Sequence, residues 1–94
     1  MAGRGFQNLS PTSLSYDAAS AIARVAYSVE NPSHVRIRVV DFQGRVAARI
    51  VDEEVAAGRH DATWDAKRMH SGIYALVMDV EGAKVWSGNV IVGR

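Results

Sequence analysis

The sequence predicts an all-β fold, a sandwich of about seven short antiparallel strands. Apolar and polar residues alternate with a period of two over most of the chain, which is the pattern of half-buried strands. Turn residues separate these alternating runs at short intervals, as they do in β-sandwiches and small barrels. No stretch favours a helix over a strand.

Composition limits the kinds of protein that this chain can be. Its 94 residues are enough for one domain with one modest core. A net charge of +1 gives no electrostatic footprint for nucleic acid or an anionic membrane. The absence of cysteine excludes disulfides, cysteine zinc sites and cysteine nucleophiles. No apolar run approaches the roughly 20 residues of a membrane span, and residues 1–10 do not resemble a signal peptide, so the localisation is left unknown.

The chain is expected to consist of an N-terminal segment followed by one domain. Residues 1–16 are predicted to be an N-terminal arm or edge strand, and residues 17–94 to be the sandwich domain. Residues 17–23 are ambiguous, because Asp17 could cap an alanine-rich helix there. The alternation at residues 23–29 is longer than the helical match, so a strand is favoured.

The clearest hairpin signal lies at residues 34–51. Its first strand alternates strictly, with three apolar residues on one face and two arginines on the other: Val35, Ile37 and Val39 against Arg36 and Arg38. Asp41 and Gly44 then hold the preferred first and fourth positions of a type I turn. A second apolar run at residues 46–51 returns, and the apolar face of this hairpin is expected to start the core.

Three further strands are expected after the hairpin, at residues 60–65, 73–78 and 83–92. The acidic residues 52–54 are expected at the end of the return strand, as a solvated acidic turn, and residues 56–59 are expected to form a loop. Asp79 and Gly82 repeat the Asp-x-x-Gly spacing of the first hairpin, so the same turn chemistry is expected there. Gly88 inside the last strand indicates a bulge or a close approach of another group to the backbone.

The apolar faces of these strands define the expected core. The residues predicted to be buried are Val25, Tyr27, Val29, Val35, Ile37, Val39, Ile50, Trp64, Ile73, Ala75, Val77, Trp86, Val90 and Val92. Trp64 could instead form a ligand platform with Asp65. The core role is favoured, because aromatic side chains dominate core energetics and Asp65 is suited to open a turn.

Three motifs, taken in order, resemble a known family. They are VRIRVVDFQGR at residues 35–45, AGRHDATWD at residues 57–65 and SGIY at residues 71–74. Together they resemble the immunoglobulin-like (Ig-like) domain of the flagellar hook-capping protein family and the related C-terminal sorting domains of the type IX secretion system. The resemblance covers residues 24–94. It implies a seven-stranded Ig-like β-sandwich of an exported or cell-surface bacterial protein.

Ten residues are expected to shape the turns, strand starts and core of this sandwich: Asp41, Gly44, Arg45, Gly58, Trp64, Asp65, Gly72, Tyr74, Asp79 and Gly82. No catalytic, cofactor or metal-binding residue is assigned. The three histidines His34, His60 and His70 are not spaced like metal ligands on one element, and no calcium loop surrounds the acidic residues 52–54. A serine nucleophile elbow and a glycine-rich phosphate loop are also missing from the sequence.

Protein partners are the expected ligands. Arg24, Arg36 and Arg38 are predicted to point outward from two neighbouring strands, where with Arg45 they could form a basic stripe for an acidic partner. The favoured alternative is that these charges keep a sheet face soluble and protect its edge. In the N-terminal arm, Phe6 and Leu14 are candidate contacts, either with the edge of the chain's own sheet or with a neighbouring subunit.

The function predicted from these features is that of a non-enzymatic structural or assembly module of an exported or surface-associated bacterial protein. It would act through protein–protein contacts, including self-association, without a cofactor, nucleic acid or membrane span. One alternative is a C-terminal sorting domain for type IX secretion. A second is a carbohydrate-binding module, which requires Trp86 or Tyr74 to be exposed as a sugar platform.

Overall fold

A computed structural model of the chain describes residues 12–93, which form seven strands and no helix. The strands are β1 Ser13–Asp17, β2 Ile22–Val29, β3 Ser33–Val40, β4 Val46–Val55, β5 Gly58–Asp65, β6 Gly72–Val80 and β7 Ala83–Val92. Every pairing between them is antiparallel. The prediction of an all-β sandwich with about seven antiparallel strands is confirmed.

The strands form two sheets whose inner faces enclose the core. One sheet has three strands in the order β1-β2-β5, and the other has four in the order β4-β3-β6-β7. The chain changes sheet between β2 and β3, between β4 and β5, and again between β5 and β6. This is a Greek-key connectivity of the Ig-like kind, with the fourth strand placed beside the third.

The core lies between the odd-numbered residues of β2 and β3 and the even-numbered residues of β5, β6 and β7. Its largest fully buried side chains are Val25, Val35, Ile37, Val39 and Leu76. Most of the predicted core residues are indeed buried, and Ile50 and Trp86 are half-buried and pack against the core. The period-two pattern therefore predicted the inward faces of β2, β3, β5 and β7.

One strand, β6, is turned opposite to the prediction. Its buried side chains are Tyr74, Leu76 and Met78. The three residues predicted as core instead point to the outer face of the sheet: Ile73, Ala75 and Val77. Opposite residues of an antiparallel pair share a face, and Met78 lies opposite the buried Ile37. Because residues 73–78 are all apolar, alternation alone could not distinguish the two faces.

Other side chains approach the backbone closely at Gly88, which is one of the two roles predicted for this residue. A Cβ atom at this position would lie 2.8 Å from the indole ring of Trp86 and 3.0 Å from a methyl group of Leu14. The indole of Trp86 thus folds along its own strand over the glycine, and Leu14 of β1 closes over them from the other sheet. Gly88 is therefore needed for the packing of β1 against β7.

Two local predictions before and after the first hairpin are resolved by the structure. Residues 17–21 form a turn and not a helix, in which the Ala21 N–H donates to the carbonyl oxygen of Asp17 at 2.8 Å. The acidic residues 52–54 lie near the end of the return strand β4, as predicted, and the prediction that they form a turn is wrong. They are tolerated there because β4 is at the edge of its sheet and exposes these side chains.

The first predicted turn is confirmed. The Gly44 N–H donates to the Asp41 carbonyl oxygen at 2.9 Å, and Gly44 has a φ of +85°. The Asp41 carboxylate also accepts hydrogen bonds from the backbone N–H groups of Gln43 at 2.9 Å and Arg45 at 3.0 Å. These bonds, the Arg45 bond above all, lower the pKa of Asp41. Aspartate and glycine thus each have a distinct role in this turn.

The second turn does not share this chemistry, and the prediction that it does is wrong. The β6–β7 loop contains only Glu81 and Gly82, which both have positive φ, 52° and 85°. Two such residues form a type I′ hairpin turn, whose twist matches that of the flanking strands. Asp79 is consequently a residue of β6 and not the first residue of a turn.

The described part of the N-terminal arm is a strand. Residues 13–17 pair with β2, and β1 ends the three-stranded sheet. Leu14 and Tyr16 lie opposite the buried Val25 and Ala23 and pack against the core. Phe6, the other candidate contact in the arm, lies outside the described residues.

We expect Gly44→Val to lower the free energy of unfolding by about 1 kcal/mol or more, because a β-branched residue is strained at a φ of +85°. Empty space surrounds the position, so collision with a neighbour would not contribute. Gly44→Asn is the matched control, since asparagine tolerates positive φ. The measurement is the midpoint of urea unfolding, and equal midpoints for parent and Gly44→Val would contradict the prediction.

Candidate interaction surface on the four-stranded sheet

The outer face of the four-stranded sheet is divided into a charged half and an apolar half. The even-numbered residues of β3 and the odd-numbered residues of β6 point to this face. Charged side chains lie near the β6–β7 turn, and apolar side chains lie near the β3–β4 turn.

Asp79 is the centre of the charged half. It is only 7% exposed, although it lies on an outer face. Arg38 Nη2 lies 3.3 Å from its Oδ2 atom, and Arg36 Nε lies 3.7 Å from the same oxygen. The two guanidinium groups therefore cover one carboxylate, and their own side chains stay partly exposed. This cluster joins the two central strands of the sheet, β3 and β6.

A second charged contact joins β3 to β4. His34 Nε2 and Asp52 Oδ1 are 2.6 Å apart, and both side chains are about half exposed. The hydrogen bond with His34 is the main reason that the pKa of Asp52 is lowered, and the positive charges of Arg36 and Arg49 lower it further. The pair thus holds the edge strand β4 against its neighbour.

The β6–β7 turn is tied to the start of β3. The Glu81 N–H donates to the His34 carbonyl oxygen at 2.9 Å, and the His34 N–H donates to the Glu81 carboxylate at 2.7 Å. This reciprocal pair extends the β3–β6 hydrogen-bond ladder past its last strand residue. Glu81, whose backbone is in the left-handed conformation, therefore contributes to sheet pairing as well as to the turn.

The apolar half, hereafter the apolar patch, consists of Val40, Val46, Ile73, Ala75 and Ile91. Val40 lies opposite both Val46 and Ala75, and Ile73 lies opposite Ile91, so the five side chains are neighbours on one face. Ile91 is 71% exposed and Ile73 is 54% exposed. Phe42 in the adjoining turn is 80% exposed. A contiguous exposed apolar patch is typical of a protein interaction site.

The structure separates the arginines that were predicted to form one basic stripe. Arg24 lies on β2, in the other sheet, and therefore faces the opposite side of the molecule. Arg45 lies in the β3–β4 turn, 3.4 Å from the Asp41 carboxylate. Arg36 and Arg38 remain together in the charged half. The expectation that Arg24 lies close to them is wrong, because β2 and β3 belong to different sheets.

The remaining predicted motif residues lie in the core, in a turn or at the start of a strand. Trp64 and Tyr74 are buried, with ring centroids 5.5 Å apart in an edge-to-face arrangement. The Asp65 carboxylate accepts the Lys67 N–H at 2.9 Å and opens the turn after β5. Gly58 and Gly72 are the first residues of β5 and β6.

The carbohydrate-binding alternative requires Trp86 or Tyr74 to be exposed, and neither of them is an exposed residue. Tyr74 is buried, and its hydroxyl group donates a hydrogen bond to the His70 carbonyl oxygen at 2.7 Å. Trp86 lies over Gly88. Phe42 is the exposed large aromatic residue in this part of the chain.

Residues 12–93 contain no group of three or more histidine, aspartate or glutamate side chains that could hold a metal ion. They also contain no helix long and apolar enough to span a membrane. His60 stacks on Tyr27, with ring centroids 5.5 Å apart, and its Nε2 atom lies 2.7 Å from the Ala56 carbonyl oxygen.

The apolar patch was missed by sequence reasoning, although one signal indicated it. Asp79 has the same odd number parity as Ile73, Ala75 and Val77, and a strand residue with a carboxylate favours the outer face. The prediction of a turn at Asp79 obscures this signal, because a turn residue is not assigned to a face of the strand.

We expect Asp79→Asn to lower the free energy of unfolding by roughly 1–2 kcal/mol, because it leaves two partly buried arginines without their shared counter-charge. The loss should shrink in about 1 M salt, where charges are screened. Asp61→Asn on the exposed face of the other sheet removes an equal charge and is the control. Urea unfolding of both variants is the measurement, and equal losses would contradict the role given to Asp79.

We expect the Asp52–His34 contact to make the free energy of unfolding depend on pH in the acid range. The pKa of the Asp52 carboxyl group is lower in the folded chain than in the unfolded chain. The ionised carboxylate therefore stabilises the fold above the unfolded-state pKa, near pH 4, and this stabilisation is lost as the pH falls through the folded-state pKa. The urea midpoint of Asp52→Asn should therefore fall less steeply than that of the parent between about pH 5 and pH 2. Parallel curves for the two proteins would contradict this assignment.

No protein-family model and no curated protein matches this chain. The likeness to the hook-capping family stays a prediction from the motifs at residues 35–45, 57–65 and 71–74.

Proposed function

We propose that this chain is a non-enzymatic assembly module that contacts other protein subunits through the outer face of its four-stranded sheet. The observation that carries the proposal is the apolar patch. Its five side chains are contiguous, and they lie on a face that the fold does not need to leave apolar. The charged half of the same sheet shows that this face accepts charged residues without loss of the fold.

The composition of the face is that of a protein interface. Apolar side chains occupy one half of the face, and arginines with their acidic partner occupy the other half. Burying the exposed part of an isoleucine side chain contributes on the order of 1–2 kcal/mol. Ile73 and Ile91 together could therefore change an association constant by roughly one and a half to three orders of magnitude.

The titratable groups on this face support a structural role for it. Asp79, Asp52 and His34 are each engaged in contacts that join neighbouring strands. A catalytic role usually requires a group aimed into a cleft, with its partners arranged around a space for substrate. Here the partners meet each other across a sheet surface.

Export or surface attachment is a further part of the proposal and is supported by the family resemblance alone. The type IX sorting alternative stays a prediction on the same motifs.

The proposal predicts association that depends on the apolar patch. The molar mass by light scattering should rise with protein concentration up to about 1 mM, and Ile73→Ser combined with Val46→Ser should lower it at every concentration. Ile73 lies on β6 and Val46 on β4, so this variant leaves the edge strand β7 unchanged. Ala57→Ser in the β4–β5 loop is the control, because Ala57 is exposed and lies outside both the patch and β7.

A monomer mass for the parent at all concentrations would contradict the proposal. A mass series that the patch variant leaves unchanged would contradict the role given to this face.

A further inference from the structure

We propose that β7 pairs with β7 of a second copy of this chain, which joins two four-stranded sheets into one antiparallel sheet of eight strands. The inference rests on the proposed assembly function and specifies its partner and its contact. It follows from a comparison of the four strands that end the two sheets, β1, β5, β4 and β7.

Three of these edges are protected against strand addition. The β1 strand is only five residues long. The β4 strand has two register irregularities and exposes four charged residues: Arg49, Asp52, Glu53 and Glu54. The β5 strand contains three exposed charged residues: Arg59, Asp61 and Asp65. Shortness, bulges and charge are the usual ways in which proteins prevent pairing at a sheet edge.

The β7 edge lacks these protections. It is ten residues long and contains a single charged residue, Lys84. Its register irregularity with β6 lies next to the hairpin turn, at Val85. Residues 86–92 then pair regularly with residues 72–78 and contain neither a charge nor a proline. A long, regular and uncharged edge is a ready template for another strand.

The backbone of this edge has groups available for pairing. In an antiparallel ladder every second residue directs its N–H and C=O groups away from the strand already paired. On β7 these groups point away from β6, and among the described strands no other pairs with them. Strand addition would satisfy them with hydrogen bonds, as it does in other β-augmentation complexes.

The edge is self-complementary about a two-fold axis. Opposite residues of an antiparallel pair share a face, so a symmetric pairing that keeps the core side together must be centred on a residue and not between two residues. The regular run of residues 86–92 is centred on Asn89. This register places Trp86 opposite Val92, Ser87 opposite Ile91, and Gly88 opposite Val90. The exposed Lys84 lies outside the paired run.

The pairing would also extend the apolar patch. Ile91 belongs both to β7 and to the patch, so the patches of the two copies would lie on the same face on either side of the joint. Seven paired residues bury less than the roughly 800 Å² per partner of a standard interface. We therefore expect a reversible dimer whose apolar patches remain available for further contacts.

The test places a charge at the proposed two-fold axis. Asn89→Lys brings two like charges together, and the dissociation constant of the dimer should rise about tenfold or more. Asn89 is exposed, so the variant should fold, which thermal unfolding checks. Thr63→Lys is the matched control, because Thr63 is an exposed residue on another of the four edge strands, β5. An equimolar mixture of Asn89→Lys and Asn89→Glu should restore the dimer.

Amide hydrogen exchange gives a second readout. Alternate amides within residues 86–92 should become more protected as the parent protein is concentrated, and this change should be absent in Asn89→Lys. A parent that stays monomeric would overturn this inference and the proposed function together. Association that is insensitive to Asn89→Lys but weakened by the patch variant would overturn this inference alone. Association weakened by Asn89→Lys but not by the patch variant would support the edge and overturn the role of the patch.

Discussion

The antiparallel pairing of β3 with β6 is the constraint on which the rest of the structure depends. These are the two central strands of the four-stranded sheet, and their register places Ile37 opposite Met78 inside the core. Because opposite residues share a face, the same register places Arg36 opposite Asp79 on the outer face. A slip of one residue would bury the charges and expose the core, so the hydrophobic and ionic contacts favour the same alignment.

The outer face follows from this register, and its two ends differ in what the fold requires of them. Near the β6–β7 turn, His34, Asp79 and Glu81 all contact neighbouring strands, so their polarity contributes to sheet pairing. Near the β3–β4 turn, Ile73 and Ile91 lie opposite each other on an open face. That end also borders the uncharged edge of β7. An apolar face and an unprotected edge therefore meet at Ile91, which explains why both proposals concern the same side of the molecule.

The differences between prediction and structure share one physical origin. The spacing of Asp79 from Gly82 matches that of Asp41 from Gly44 and predicts that Asp79 is a turn residue. The local motif was the same, but a positive φ at both Glu81 and Gly82 allows a shorter loop, and Asp79 stays in the strand. Its parity would have shown that β6 presents Ile73 outward. The position of Arg24 was likewise decided by which sheet receives β2, and no pattern within a single strand contains that information.

The sequence by itself determined the all-β class, the approximate extent of the strands, the inward faces of β2, β3, β5 and β7, and the role of Gly44. Each depends on local periodicity or on the conformational preference of one residue. Only the tertiary structure decided the face of β6, the division of the strands between two sheets and the convergence of Arg36 and Arg38 on Asp79. These features depend on which residues lie opposite one another across strands distant in sequence, and that choice minimises the free energy of the whole sandwich and not of any single element.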